Sequence, residues 1–223
     1  MANTNTASSI SSPAEGEPGS KAYTVLRAAR KIFLTYGFAS ATTDMIQREA
    51  AVSKSTVYAH YANKEALFVA VVEAECRTFA ETVHAIKFCP GQLKVTLTAL
   101  AQTYLEIVLS PSGLALHRII VSEGPRFPAL AQTFYMAGPS VITSMVADHF
   151  ASATASSEVD LGDLEFEEAA RVFINMVRSE PQLYFLTHPD SPPAKAQIDR
   201  WVEVVVDTFM RAYGRSGALA GTR

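Results

Sequence analysis

The stretch 42–68 admits few folds, because it compresses two short helical patterns, a tight turn and the start of a third helix into one basic unit. Ile46, Ala50, Val52, Val57 and Tyr61 recur where two crossing helices must bury a shared seam. Thr42, Thr43, Lys54, Ser55, Thr56, Tyr58 and Lys64 are then left to face outward. The buried set builds a helix-turn-helix, and the outward set carries the hydroxyl and ammonium groups of a phosphate-contacting surface.

The run Tyr58-Ala59-His60-Tyr61-Ala62-Asn63-Lys64-Glu65-Ala66-Leu67-Phe68, following Val52-Ser53-Lys54-Ser55-Thr56-Val57, resembles the DNA-binding signature of the tetracycline-repressor (TetR) family of bacterial one-component regulators. The resemblance spans residues 22–68 and implies a ligand-responsive regulator, a repressor rather than an activator. Two positions depart from the pattern: Ala51 stands where the family most often has glycine, and Gln47 where a small residue is usual. A left-handed alanine costs on the order of 1 kcal/mol, which a packed motif tolerates. The segment from His117 to Leu130 is also similar to one in the effector domains of drug-efflux-type members.

Net charge is only −3, yet it is unevenly spread. Residues 21–64 hold seven basic side chains against Asp44 and Glu49, a net +5, while 65–223 carry a net −6. A basic head on an acidic body steers one end of the chain toward phosphate and keeps the rest off the duplex. That pattern argues against a nonspecific architectural DNA-binding protein, which needs extended basic surface. An all-helical enzyme is the other alternative, but the five histidines are scattered and no metal-spaced cluster, phosphate loop or nucleophile motif accompanies them. No catalytic residue, metal or cofactor is expected.

No apolar run approaches the roughly 18 residues that span a bilayer, and the first twenty residues lack a secretory-signal layout, so a cytoplasmic protein with no membrane partner is expected. Cys76 and Cys89 fall in one helical pattern at a spacing of about 20 Å, too far for a disulfide.

Punctuation by Gly, Pro and polar clusters divides the chain into about nine helices with no strand-like alternation, an all-α reading. Residues 1–19 read as a disordered tail, 20–68 as the DNA-binding domain, 69–213 as a ligand-binding and dimerisation domain and 214–223 as a flexible tail. The helix from Lys64 to about Phe88 connects head and body. Further helices are expected over 92–109, 114–122, 128–153 with an interruption at Gly138-Pro139, 163–187 and 192–213.

Side chains at the start and outer face of the recognition helix reach base edges, which assigns Lys54, Ser55 and Thr56 to that task or to phosphate. Tyr58 and His60 match the family's backbone-clamping positions, Lys64 adds charge, and Thr42 and Thr43 serve as caps and phosphate donors. One such helix reads too few base pairs, so a homodimer on a palindromic operator is expected. Leu183, Tyr184, Phe185, Trp201, Val205 and Phe209 supply its apolar interface. The effector, an apolar or amphipathic small molecule, is assigned to Tyr104, Ile107, His117, Ile120, Phe127, Phe134, Met145, Phe173, Asn175 and Met176, with Leu116 and Arg178 as further candidates.

Overall fold

The computed structural model describes residues 17, 19–191 and 193–215, and across these the regular structure is ten α-helices. Most of the 1–19 and 214–223 tails lies outside the described residues. The tenth helix arises at Gly138-Pro139, where the expected kink is a complete break. Gly138 sits at φ −113°, ψ −86°, and Pro139, which has no N–H to donate, opens the next helix in its first turn. The chain divides into two compact units, Met1–Ala74 and Glu75–Arg223.

The first unit contains α1 (Lys21–Ser40), α2 (Thr43–Ala50), α3 (Lys54–His60) and the first turns of α4 (Lys64–His84). Ser20 caps α1 by accepting from the Tyr23 amide at 3.1 Å. Gly37 breaks the helical path at φ 77°, a conformation open to glycine but strained for other residues. That turn swings Phe38 inward, where its ring lies 5.9 Å from Phe33 and 5.0 Å from Phe68. With Phe33 and Phe68 edge to face at 4.9 Å, these rings seal the small core around Val25, Ile32, Ile46, Val57 and Leu67. Between α2 and α3, Ala51 takes the left-handed turn at φ 52°, ψ 41°, and Val52 donates to the Gln47 carbonyl at 3.1 Å. Ile46, Ala50, Val57 and Tyr61 are buried, whereas Val52 is half-buried at the rim of the seam.

The second unit holds the remainder of α4 with α5 (Leu93–Val108), α6 (Pro111–Glu123), α7 (Pro128–Ala137), α8 (Pro139–Ala155), α9 (Phe166–Thr187) and α10 (Lys195–Tyr213). Phe150, Phe173 and Phe209 meet at its centre, with centroids 5.1 to 6.1 Å apart. Each such side chain stabilises the unit by about 1.5–3 kcal/mol relative to exposure. Helix α5 is capped from a distance: Glu158 accepts from the Leu93 amide at 2.9 Å and from the Ser156 hydroxyl at 2.7 Å.

Several boundaries differ from the sequence reading, and three have a clear physical reason. Helix α4 ends at His84, because the Ile86 amide turns back to the Val83 carbonyl and Ile86 and Phe88 fold onto the core. Helix α6 begins at Pro111, not Leu114, since Ser110 caps it and proline fits the first turn. Gly214 and Arg215 are held against the 158–160 loop, Gly214 by a bridge to Val159 and Arg215 by its amide to the Glu158 carbonyl.

Candidate nucleic-acid interface and small-molecule cavity

Helix α3 is held by Val57, which is buried, so Lys54, Ser55, Tyr58 and His60 are exposed around it and Thr56 is half-exposed. Ser53, which the sequence reading passed over, organises the start of this helix. Its hydroxyl accepts from the Thr56 amide at 3.2 Å and lies 2.8 Å from both the Ser55 and the Thr56 hydroxyls. Three hydroxyls are thus gathered at one helix start. Thr42 caps α2 by accepting from the Met45 amide, and the Thr43 hydroxyl approaches that of Tyr58 at 3.4 Å. Lys54 is paired with Asp44 at 3.0 Å, both side chains being exposed. The hydrogen bond and charge of Asp44 raise the lysine pKa above its ordinary value.

Lys64 does not belong to this surface. Its Nζ donates to the carbonyls of Phe38 at 2.9 Å and Ala41 at 3.1 Å and sits 4.4 Å from the centre of the Phe38 ring. The ammonium thus ties together two carbonyls that follow the break at Gly37, one at the end of α1 and one at its cap. The assignment of Lys64 to phosphate is therefore corrected to a fold-holding role.

In the second unit a cavity of about 600 Å³, counted with the part open to solvent, lies among α4, α5, α6, α7, α8 and α9. Tyr104, Ile107, His117 and Phe134 line it as expected, and Leu116 and Arg178 join them. Sequence reasoning missed Cys76, Phe79, Val108, Gly113, Gly138, Pro139, Ile142 and Gln182. The two glycines let backbone form the wall: a Cβ at Gly113 would collide with the Ile107 carbonyl, and one at Gly138 would lie 3.1 Å from the Cys76 sulfur. The i, i+3 spacing of Cys76 and Phe79 on α4 is a signal that could have found them.

Six assignments to this cavity are corrected. Phe173 is buried against Phe150 and Phe209, and Met145 and Met176 pack on the same core. Asn175 is exposed and spends its amide on the Arg171 carbonyl. Ile120 is buried one turn beyond the lining residues of α6, and Phe127, ahead of α7, lies under the Arg126 guanidinium at 5.1 Å.

The polar groups of the cavity are few. Tyr104 is 9% exposed, and burial raises its pKa despite the opposing charge and hydrogen bond of Arg178. Burial, and then the charge of Arg178, lower that of His117. Both are therefore neutral near pH 7.

The proposed dimer surface divides in two. Leu183 and Tyr184 are exposed, as is Val204 on α10. Phe185, Val205 and Phe209 are corrected to the subunit's own core, each at most 7% exposed, because helical period turns 205 and 209 inward together. Trp201 is half-buried, and its indole N–H donates to the Val177 carbonyl. No single helix among the described residues is long and apolar enough to cross a membrane.

Residues 25–71 match the family of bacterial regulatory proteins named for tetR, and residues 95–215 match the C-terminal domain of AefR-like transcriptional repressors. The HTH-type transcriptional regulator UidR of Escherichia coli K12 is 28% identical over 160 residues, 68% of this chain and 75% of UidR. The flavonoid-responsive regulator FrrA is 30% identical with a TM-score of 0.70, over 89% of this chain and 100% of that one. A TetR-family regulator from Mesorhizobium loti MAFF303099 shares the fold at a TM-score of 0.81 and 24% identity, over 87% and 97% of the two chains.

Proposed function

Because this chain belongs to the TetR family of bacterial transcriptional regulators, we propose that it is a repressor that binds a palindromic operator as a homodimer and is released by an apolar or amphipathic small molecule. The observation that carries the reading is the exposed face of α3, where Lys54, Ser55, Tyr58 and His60 surround a single buried anchor, Val57. Such a face fits the major groove with its first residues toward base edges and its hydroxyls toward phosphate. Ser53 and Thr43 order those hydroxyls before DNA arrives, and Lys54 waits on Asp44. The exposed Leu183, Tyr184 and Val204 supply apolar surface for the second subunit.

The effector occupies the cavity of the second unit. Phe79, Tyr104 and Phe134 suit a flat ring system, and the relative FrrA is a flavonoid-responsive regulator. Cys76 and Phe79, which line it, belong to α4, the helix that also carries Lys64. A ligand shifts the protein toward its released state only through its preference for that state, and α4 is the element through which that preference would be expressed. The protein acts in the cytoplasm, where operator and effector meet.

The test is a gel-shift titration against the DNA flanking the protein's own gene with random DNA as competitor. Competitor-resistant binding that Lys54→Ala and Tyr58→Ala abolish, and that Asp44→Asn preserves or strengthens by freeing Lys54, supports the reading. Binding that random DNA competes away equally, and that falls steeply with salt, would return the chain to a nonspecific DNA-binding role.

A further inference from the structure

We infer that the effector is an organic carboxylate whose anionic group seats on Arg178 while its apolar body fills the cavity. The inference rests on the reading of that cavity as the effector site. Among the described residues, Arg178 supplies the only permanent charge on its lining, and no Asp or Glu lines it. No carboxylate lies within ion-pair distance of Arg178 among the described residues. Its near neighbours are neutral: Asn175, whose Oδ1 accepts from the guanidinium at 3.1 Å, the Tyr104 hydroxyl and the imidazole of His117. A guanidinium has five N–H donors, and these neighbours leave some of them unused.

The guanidinium has neutral hydrogen-bond partners but no counter-charge among the described residues, and a carboxylate supplies one through two parallel charge-assisted hydrogen bonds. The apolar surroundings strengthen that pairing over the same contact in water. Gln182, at the same wall, offers an amide donor to a remaining carboxylate lone pair. A cationic ligand meets like charge and finds no acid to pair with. A neutral amide gains the apolar contacts and at most a neutral hydrogen bond from the guanidinium, without the charge-assisted pair.

Three isosteric probes separate these cases by titration calorimetry on the full chain: 2-naphthoate, 2-naphthamide and (2-naphthyl)methylammonium. The expected result is that the naphthoate binds about tenfold or more tightly than the amide, with the ammonium weakest. Arg178→Met should reduce the advantage of the naphthoate over the amide to about threefold or less. The wild-type series stands even if that variant fails to fold. Equal binding of naphthoate and amide, or a preference for the ammonium, overturns the carboxylate inference while leaving the cavity an effector site. If none of the three binds, or if Ile107→Phe, which narrows the cavity, leaves all three affinities untouched, the effector-site reading falls and the inference with it.

Discussion

The indole N–H of Trp201 donates to the carbonyl of Val177 at 2.9 Å, and Val177 is the residue whose carbonyl Pro181 cannot serve. Within α9 the amide four residues on would ordinarily bond that carbonyl, but proline has none. A side chain from α10 supplies the missing donor. The pair joins the two helices that carry the exposed Leu183, Tyr184 and Val204, and it gives Trp201 a role inside its own subunit.

Trp201→Phe is therefore expected to lower stability by about 1–2 kcal/mol, the cost of leaving a partly buried carbonyl unmet, beyond any loss of packing. In a Pro181→Ala background the restored amide takes over the carbonyl, and the same substitution should cost distinctly less. Urea denaturation followed by circular dichroism, for the four members of this cycle, measures the difference. Equal costs in both backgrounds would mean that the hydrogen bond contributes nothing.

Lys64 separates a structural cation from a DNA-contacting one. With Nζ shared between the Phe38 and Ala41 carbonyls, Lys64→Met should destabilise the first unit by about 1–3 kcal/mol. The salt dependence of operator binding should keep its slope, because no phosphate contact is lost. A fall in that slope of about 1, with unchanged thermal stability, would restore Lys64 to the interface.

The contrast between Lys64 and Lys54 marks what the sequence allowed to be read. Helices and their ends were legible where the chemistry is local: Thr42 as a cap, Ala51 as a left-handed turn, and Gly138-Pro139 as an interruption. The outward direction of Lys54, Ser55 and Tyr58 follows from the period that buries Val57. Lys64 was misread because its acceptors lie 23 and 26 residues away, and no periodicity encodes a partner at that range. The cavity failed for a related reason. Phe134 and Phe173 both lie on inward stripes of helices, but only the three-dimensional arrangement decides that one meets an open space and the other meets Phe150 and Phe209.

Ala51 holds φ 52°, ψ 41° without the freedom of glycine. Ala51→Gly relieves a left-handed alanine of about 1 kcal/mol, partly offset by the larger entropy glycine loses on folding. The net expectation is a gain of about 0.5 kcal/mol or slightly more, read as a higher urea midpoint at unchanged slope. A lower midpoint would show that the alanine methyl packs usefully in the turn.

Glu158 ties the 156–158 turn to the start of α5, and its ionisation should make stability depend on pH. Burial alone would raise its pKa, but hydrogen bonds from the Ser156 hydroxyl and the Gly91 and Leu93 amides outweigh it and leave the carboxyl below its ordinary value. A carboxylate whose folded pKa is depressed stabilises the fold above its unfolded pKa, and that stabilisation disappears as pH falls through the folded value. Glu158→Gln should then cost about 1–3 kcal/mol at pH 7, since an amide cannot accept from all three donors. The gap between wild type and variant should hold down to the ordinary carboxylate range, near 4.5, and narrow steadily below it. Urea titrations of both proteins from pH 7 to pH 3 measure that gap; one that stays constant through the acid range would mean that Glu158 acts through shape alone and not through charge.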